Sequence, residues 1–173
     1  PYLSVAQEVS IDRFISLRGY ARISQTQSGA CPYATENSNN LTIMSVALLL
    51  VTHEHIGNHM LSITASILND DLKNVTCVEI PMDSDTDQIA ALVTLALDNL
   101  ATDDGVLILT DSYGSTPCNI AIEFLNHEHR ILVSGLNLPM LIRIMNYRLL
   151  PIDELKDIAI DGGKRGITSM QSL

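Results

Sequence analysis

The 173-residue sequence contains no tryptophan, and its two phenylalanines and five tyrosines make up only 4% of the chain. Aliphatic residues therefore supply most of its 46% hydrophobic content, and we expect a core built from Leu, Ile, Val and Ala. A chain of this length favours one compact domain with room for additions.

Positive charge is also scarce. The sequence has ten Lys and Arg residues against twenty Asp and Glu residues, which gives a formal net charge of -10 at pH 7. Such a surface disfavours a nucleic-acid backbone or an anionic membrane as the main partner. A basic protein is a better electrostatic match, so we expect protein partners and no nucleic acid.

Long hydrophobic segments and paired cysteines are missing as well. No apolar run approaches the ~20 residues that span a bilayer, and the first residues lack the basic and apolar regions of a signal peptide. Cys31, Cys77 and Cys118 form no CxxC spacing, and any pairing leaves one of them over. These features predict a reduced, cytoplasmic setting without direct insertion into a membrane.

Residues 1–43 differ in composition from the rest of the chain. They include the polar stretch SQTQSGACPYATENSNN and one candidate helix, SIDRFISLRGYARI, with little to pack against. Continuous apolar sequence begins directly after Met44. We therefore predict an extension over residues 1–43, poorly ordered or dispensable, and a working domain over residues 44–173.

From Met44 onward, strand-like runs alternate with segments of helical periodicity. Apolar runs predict buried strands over residues 45–51, 75–80, 105–110 and 130–135. Helices are predicted over 56–68, from Asp85 or Thr86 to Leu100, from Pro117, through NLPMLIRIMNY, and through PIDELKDIAIDG, with Gly162 and Gly163 as the stop. This alternation predicts an α/β fold with a four-stranded parallel sheet and helices on both faces.

Two polar positions follow strands one and three. In a parallel sheet the ligand site lies beyond the carboxyl ends of the strands, where the strand order reverses. If strands one and three are neighbours, Asp111 can accept the Nδ1–H of His53 and leave Nε2 unprotonated and nucleophilic. On spacing alone, Asp111 could equally be an ordinary turn residue.

The loop after strand three adds features of an anion site. Gly114, Ser115 and Thr116 lead into the helix opened by Pro117, and the free N–H groups and dipole of a helix N-terminus favour an anion. The two hydroxyl groups add hydrogen-bond donors. With a nucleophilic imidazole and an orienting carboxylate nearby, these residues predict phosphoryl transfer through a phosphohistidine.

Further histidines suggest a metal site as a rival reading. His55 and His59 lie four residues apart on one predicted helix face, a spacing that suits metal ligands. The HExxH motif is absent, however, and no further Cys or Glu stands at a diagnostic spacing. We predict no metal, with His55 and His59 as bystanders, and we expect His127 and His129 to be solvated in a polar loop.

Three segments occur in the order found in one known family. LLLVTHEHIGNHML, GVLILTDSYGSTPCNIA and VSGLNLPMLIRIMNY resemble the IIA domains of the mannose class of the bacterial phosphoenolpyruvate-dependent sugar phosphotransferase system, over about residues 44–168. The resemblance implies a doubly wound α/β homodimer with a four-stranded parallel core and a small strand exchanged between subunits.

The resemblance also implies a set of roles. His53 would accept a phosphoryl group from phospho-HPr and pass it to a IIB domain, with Asp111 as its carboxylate partner and Thr116 as the hydroxyl before the loop proline. The chain would then be a protein-histidine phosphotransferase without a cofactor. Glu54 and Ser115 stand where family members commonly have glycine.

Two other functions remain open at this point. One is a regulatory sensor whose phosphorylated and free forms bind a target protein differently, without feeding a transporter. The other is the related phosphocarrier subunit of dihydroxyacetone kinase, which usually lacks a loop like GSTPCN. The apolar segments LPMLIRIM (138–145) and GITSMQSL (166–173) suit either a dimer interface or the core of the monomer.

Overall fold

The computed structural model describes residues 45–82, 86–127 and 129–171, which fall within the unit Thr42–Leu173. The extension predicted over residues 1–43 lies outside the described residues, as does Asp85, one of the two predicted caps.

Four parallel strands form one sheet in the order β2-β1-β3-β4. They are β1 (Ala47–His53), β2 (Val75–Ile80), β3 (Val106–Thr110) and β4 (Arg130–Ser134). The predicted parallel sheet is confirmed, but β1 was predicted to end at Val51. It continues because Thr52 and His53 still pair with Glu79 and Ile80 of β2.

Within the described residues, five α-helices cover the two faces of the sheet. They are α1 (Ile56–Leu68), α2 (Thr86–Asp98), α3 (Thr116–Glu123), α4 (Leu138–Asn146) and α5 (Ile152–Arg165), with a short 3-10 turn at Phe124–Asn126. Helices α1, α4 and α5 pack on one face around Leu48, Leu50, Leu107 and Leu109. Helices α2 and α3 pack on the other face, so the doubly wound α/β fold is confirmed.

The apolar stripe of α1 is placed differently from what a simple amphipathic helix suggests. Ile56, Ile63 and Ile67 recur at helical spacing, yet they are 38%, 47% and 38% exposed. Met60, which shares this spacing, and Leu61 are the apolar residues of α1 that pack against the core. Helical periodicity thus predicted the element correctly without predicting which side of it is buried.

The end of α5 corrects one prediction. Gly162 and Gly163 do not stop this helix, which runs on to Arg165. Both glycines are buried against α4, and a Cβ on Gly162 would lie 2.8 Å from Cδ and 3.0 Å from Cβ of Arg143. These glycines serve close helix packing.

The segment 138–145, for which two readings were open, completes the core of the monomer. Met140, Leu141 and Ile144 are at most 4% exposed. In contrast, Ile167 and Met170 of the C-terminal segment are 80% and 87% exposed. Among the described helices, none is both long and apolar enough to cross a membrane.

The strand order fixes where a site can form. The chain passes from β1 outward to β2 at one edge of the sheet, and from β3 outward to β4 at the other edge. The direction of winding therefore reverses between β1 and β3. The carboxyl ends of these two central strands are the expected position of a ligand site in such a sheet.

Candidate active site

His53 and Asp111 meet at this reversal point. Val51 pairs with Thr110 in register, so the residues that follow emerge side by side from β1 and β3. Nδ1 of His53 lies 2.9 Å from Oδ2 of Asp111, and the backbone N–H of His53 donates to the same oxygen at 3.2 Å. The structure therefore brings together the two residues singled out from the sequence.

The surroundings of Asp111 determine how it can act on the imidazole. The side chains of Asp111 and His53 are 11% and 27% exposed, and the backbone N–H of Ser112 donates to Oδ1 at 2.9 Å. An ionised carboxylate only accepts hydrogen bonds, so its contact with Nδ1 places the ring proton on that atom. The lone pair of the imidazole then remains on Nε2, the atom available for nucleophilic attack.

The loop after β3 leads directly into α3. Gly114 has a φ of +75°, while a Cβ built there would meet no atom within 4 Å. The glycine is therefore needed for its left-handed backbone and not for space. Ser115 is the N-cap residue with an extended backbone, and its hydroxyl donates to the carbonyl of Ser112 at 2.7 Å.

The start of α3 differs from those of α1 and α4, where a side chain accepts an N–H of the first turn, although the N-cap of α1, His55, makes no cap bond itself. In α1 the N–H of Gly57 donates to the Thr52 hydroxyl at 3.0 Å, and in α4 the N–H of Met140 donates to the Asn137 side chain at 3.0 Å. The N-cap of α3, Ser115, makes no such side-chain bond. The first N–H groups of a helix have no intrahelical acceptor, so α3 presents its donors and its dipole to an anion.

Thr116, the third predicted anion-binding residue, is the first residue of α3 and is exposed. The helix therefore begins one residue before Pro117, which is buried. Because the Ser115 hydroxyl already donates to the carbonyl of Ser112, it must rotate before it can donate to a bound anion.

The remaining histidines lie outside this arrangement. Nδ1 of His59 lies 2.8 Å from the carbonyl oxygen of His55, and the two rings meet edge to face at 6.1 Å. Across residues 45–82, 86–127 and 129–171, no group of three or more His, Cys, Asp or Glu side chains is placed to hold a metal ion. His127 and His129 are exposed, as predicted.

One acidic residue near His53 was missed by sequence reasoning. Glu79 is the one charged residue of β2, and its Oε2 lies 3.1 Å from Nδ1 of His55, while its Oε1 accepts the N–H of Asn58 at 3.4 Å. Partial burial raises the pKa of the Glu79 carboxyl, but the hydrogen bonds from His55 and Asn58 outweigh it and hold that pKa below its usual value. The sequence signal that could have indicated Glu79 was its position as the single charged residue of an otherwise uncharged strand.

Glu54, directly after His53, has a left-handed backbone with φ +41°. Its N–H donates to the carbonyl of Ile80 at 3.0 Å, and its Oε1 accepts the N–H of Met82 at 3.1 Å. A left-handed φ is the conformation that glycine adopts most easily, which fits the glycine common at this position in the resembling family. Here the hydrogen bonds to the end of β2 support the unusual backbone of a larger residue.

Comparison with known proteins gives consistent matches over the described domain. Residues 47–159 match the family model EIIA-man, PTS system fructose IIA component. The chain is 27% identical over 132 residues to the PTS system mannose-specific EIIAB component of Escherichia coli (strain K12), which covers 75% of this chain and 41% of that protein. The chain thus spans less than half the length of the curated relatives it matches.

Solved structures share the fold. The mannose/sorbose specific IIA subunit of the phosphotransferase system from Enterococcus faecalis superposes with a TM-score of 0.66 at 25% identity, covering 75% of this chain and 98% of that one. The phosphotransferase system component EIIA from Streptococcus agalactiae gives a TM-score of 0.64 at 22% identity, with coverages of 72% and 96%.

Proposed function

Since the chain belongs to the EIIA-man family, the PTS system fructose IIA components, we propose that it is a phosphocarrier. In this proposal His53 accepts a phosphoryl group from phospho-HPr and passes it to a IIB domain. The observation that carries the proposal is the 2.9 Å contact between Nδ1 of His53 and Oδ2 of Asp111, beside the uncapped start of α3.

The transfer step follows from this geometry. Nε2 of His53 attacks phosphorus in line with the phosphoramidate bond of the donor, and a P–N bond to Nε2 forms as the donor's P–N bond breaks. The proton on Nδ1 stays in the hydrogen bond to Asp111, whose negative charge stabilises the more cationic ring. One phosphoramidate replaces another, so little driving force is needed and positioning supplies most of the catalysis.

The start of α3 would hold the transferred group. The backbone N–H groups of Ser115, Thr116 and Cys118 and the hydroxyl of Thr116 can donate to phosphoryl oxygens, while Pro117 has no N–H. The helix dipole also favours the negative charge of these oxygens. Gly114 allows the loop to turn closely past the phosphoryl group. Donors fixed before the reaction stabilise charge without reorganisation during the step.

Charge supports a basic protein as donor. Lys73 is the only Lys or Arg between residues 45 and 129, and it precedes β2 at the end of the sheet opposite His53. The strand ends around His53 bring the carboxylates of Glu54 and Asp111 instead. A partner that presents positive charge around its own phosphohistidine would match this surface and neutralise the phosphoryl group.

The test is phosphorylation with purified components. We expect incubation of the full chain with Enzyme I, HPr and phosphoenolpyruvate to produce an acid-labile, alkali-stable phosphoryl adduct. His53→Ala should abolish the adduct. His59→Ala is the matched control, and His55→Ala should also leave phosphorylation measurable, since His55 does not carry the phosphoryl group. Absence of the adduct on the unaltered chain, or its persistence in His53→Ala, would overturn the proposal.

A further inference from the structure

Residues 53–58, which turn from the end of β1 into the start of α1, are hydrogen-bonded from both sides. Because β1 lies between β2 and β3 in the sheet, each neighbouring strand can reach this turn with one carboxylate. Asp111 reaches it from the β3 side and binds both the backbone N–H and the ring of His53. The carboxylate on the other side is Glu79 of β2.

Glu79 holds this turn at two points. Its position opposite Thr52 in the parallel register brings the side chain under the start of α1, where it is 21% exposed. Oε2 lies 3.1 Å from Nδ1 of His55, and Oε1 accepts the N–H of Asn58 at 3.4 Å. One carboxylate thereby binds a side chain within the turn and the first turn of the following helix.

The charge of Glu79 suits this position. An acidic group near the N-terminus of a helix is stabilised by the helix dipole. Glu79 and the Thr52 hydroxyl accept the N–H groups of Asn58 and Gly57 at the start of α1, whereas the N-cap of α3 makes no side-chain bond.

We propose that Glu79 is a positioning residue for phosphoryl transfer at His53. It holds the turn 53–58 against β2, through His55 and Asn58, while Asp111 holds it against β3. The His53 ring is thus fixed with Nε2 directed for in-line attack. The proposal rests on the proposed phosphocarrier function and gives His55 an indirect role, in which it contributes to positioning without carrying the phosphoryl group.

A carboxylate is the group that this arrangement requires. Both donors point at Glu79, one at each oxygen, and an ionised carboxylate accepts at both. A glutamine has a single acceptor oxygen, so its amide N–H would face Nδ1 of His55 and force that ring into the other tautomer. An alanine loses both contacts and leaves the N–H of Asn58 without its acceptor.

The experiment compares Glu79→Gln and Glu79→Ala with the unaltered full chain. The rate of transfer from phospho-HPr is measured by rapid quench over a range of donor concentrations. We expect Glu79→Ala to lower the maximal transfer rate constant about 10-fold, since a small misplacement of reacting groups is costly. The half-saturating concentration of phospho-HPr should change less than about twofold, and Glu79→Gln should retain an intermediate rate.

A variant destabilised elsewhere separates positioning from stability. Asn74 binds Ser45 and Ala101 at the opposite end of the sheet, so Asn74→Ala should lower the melting temperature without slowing transfer. If Asn74→Ala slows transfer as much as Glu79→Ala does, or if Glu79→Ala transfers at the unaltered rate, the positioning role is refuted. A chain that accepts no phosphoryl group at all would instead refute the proposed function.

Discussion

At the scale of single residues, the proposed phosphoryl transfer depends on which ring nitrogen of His53 carries the proton. The Asp111 carboxylate can only accept, and it also accepts from the backbone of His53 and Ser112, which fixes its orientation. The orientation of one acidic side chain therefore selects the tautomer that leaves Nε2 free to attack.

We expect Asp111→Asn to slow phosphorylation by about 10²-fold. The amide can turn its N–H toward Nδ1, which moves the ring proton to Nε2, and it lacks the charge that stabilises the phosphorylated ring. Loss of an orienting carboxylate in a Ser-His-Asp triad costs on the order of 10⁴ in rate. The effect should be smaller here because no full proton abstraction is needed and α3 still binds the phosphoryl group.

Initial rates with saturating phospho-HPr measure this effect, and Asp103→Asn, in the exposed loop before β3, is the charge-matched control. The opposing influence is repulsion between the Asp111 carboxylate and incoming phosphoryl oxygens, which the substitution relieves. A rate for Asp111→Asn at or above that of the unaltered chain would mean that repulsion outweighs control of the tautomer.

How much of the site the sequence predicts depends on what each contact requires. His53 and Asp111 were predictable because both follow apolar runs whose ends meet at the reversal point of a parallel sheet. Glu79 was not, because its role depends on the register of β2 against β1, which sequence alone does not specify. The left-handed backbone of Glu54 was also hidden, since glutamate gives no local signal for it.

At the scale of elements, strand and helix positions followed from apolar runs and helical periodicity, while several ends did not. β1 continues through His53 because its polar residues still pair with β2, a tertiary interaction. Gly162 and Gly163 carry the composition of a helix stop, yet α5 passes through them. Glycine marks either a helix end or a close contact, and only the neighbouring helix decides between the two.

The packing of α5 on α4 yields a prediction. Gly162→Ala should destabilise the fold by about 1 kcal/mol, although alanine is the better helix former by about as much. The added Cβ would lie 3.0 Å from Cβ of Arg143, an atom that cannot move without the backbone of α4, and overpacking of this kind costs about 1–3 kcal/mol. It would also displace the Arg143 guanidinium from Asp161, now 3.3 Å away.

Urea unfolding monitored by circular dichroism measures this change. Asp157→Ala, an exposed position on the same helix, provides the control and should shift stability by no more than about 0.5 kcal/mol. A Gly162→Ala chain as stable as the unaltered protein, or more so, would show that α4 and α5 have room for the methyl group and that the glycine serves another purpose.

At the scale of the whole molecule, the question is what covers the C-terminal segment. Ile167 and Met170 are 80% and 87% exposed after α5, and their side chains are large and apolar. Single exposed apolar residues are common on protein surfaces. Here, however, the resemblance implies that the chain exchanges a small strand with a second copy, so we propose that this second copy covers them.

We expect the full chain to sediment as a dimer at micromolar concentration and Ile167→Ser with Met170→Ser to shift it toward monomer. Burial of each side chain contributes about 1.5–3 kcal/mol, and a two-fold dimer counts every contact twice, so the double substitution should weaken association by several orders of magnitude. Leu95→Ser, at a 59% exposed position on α2, is the matched control and should leave the dimer intact. A monomeric unaltered chain would exclude strand exchange. A dimer that survives the double substitution would show that the interface lies on another surface. The exposed isoleucines of α1 are the next apolar candidate for it.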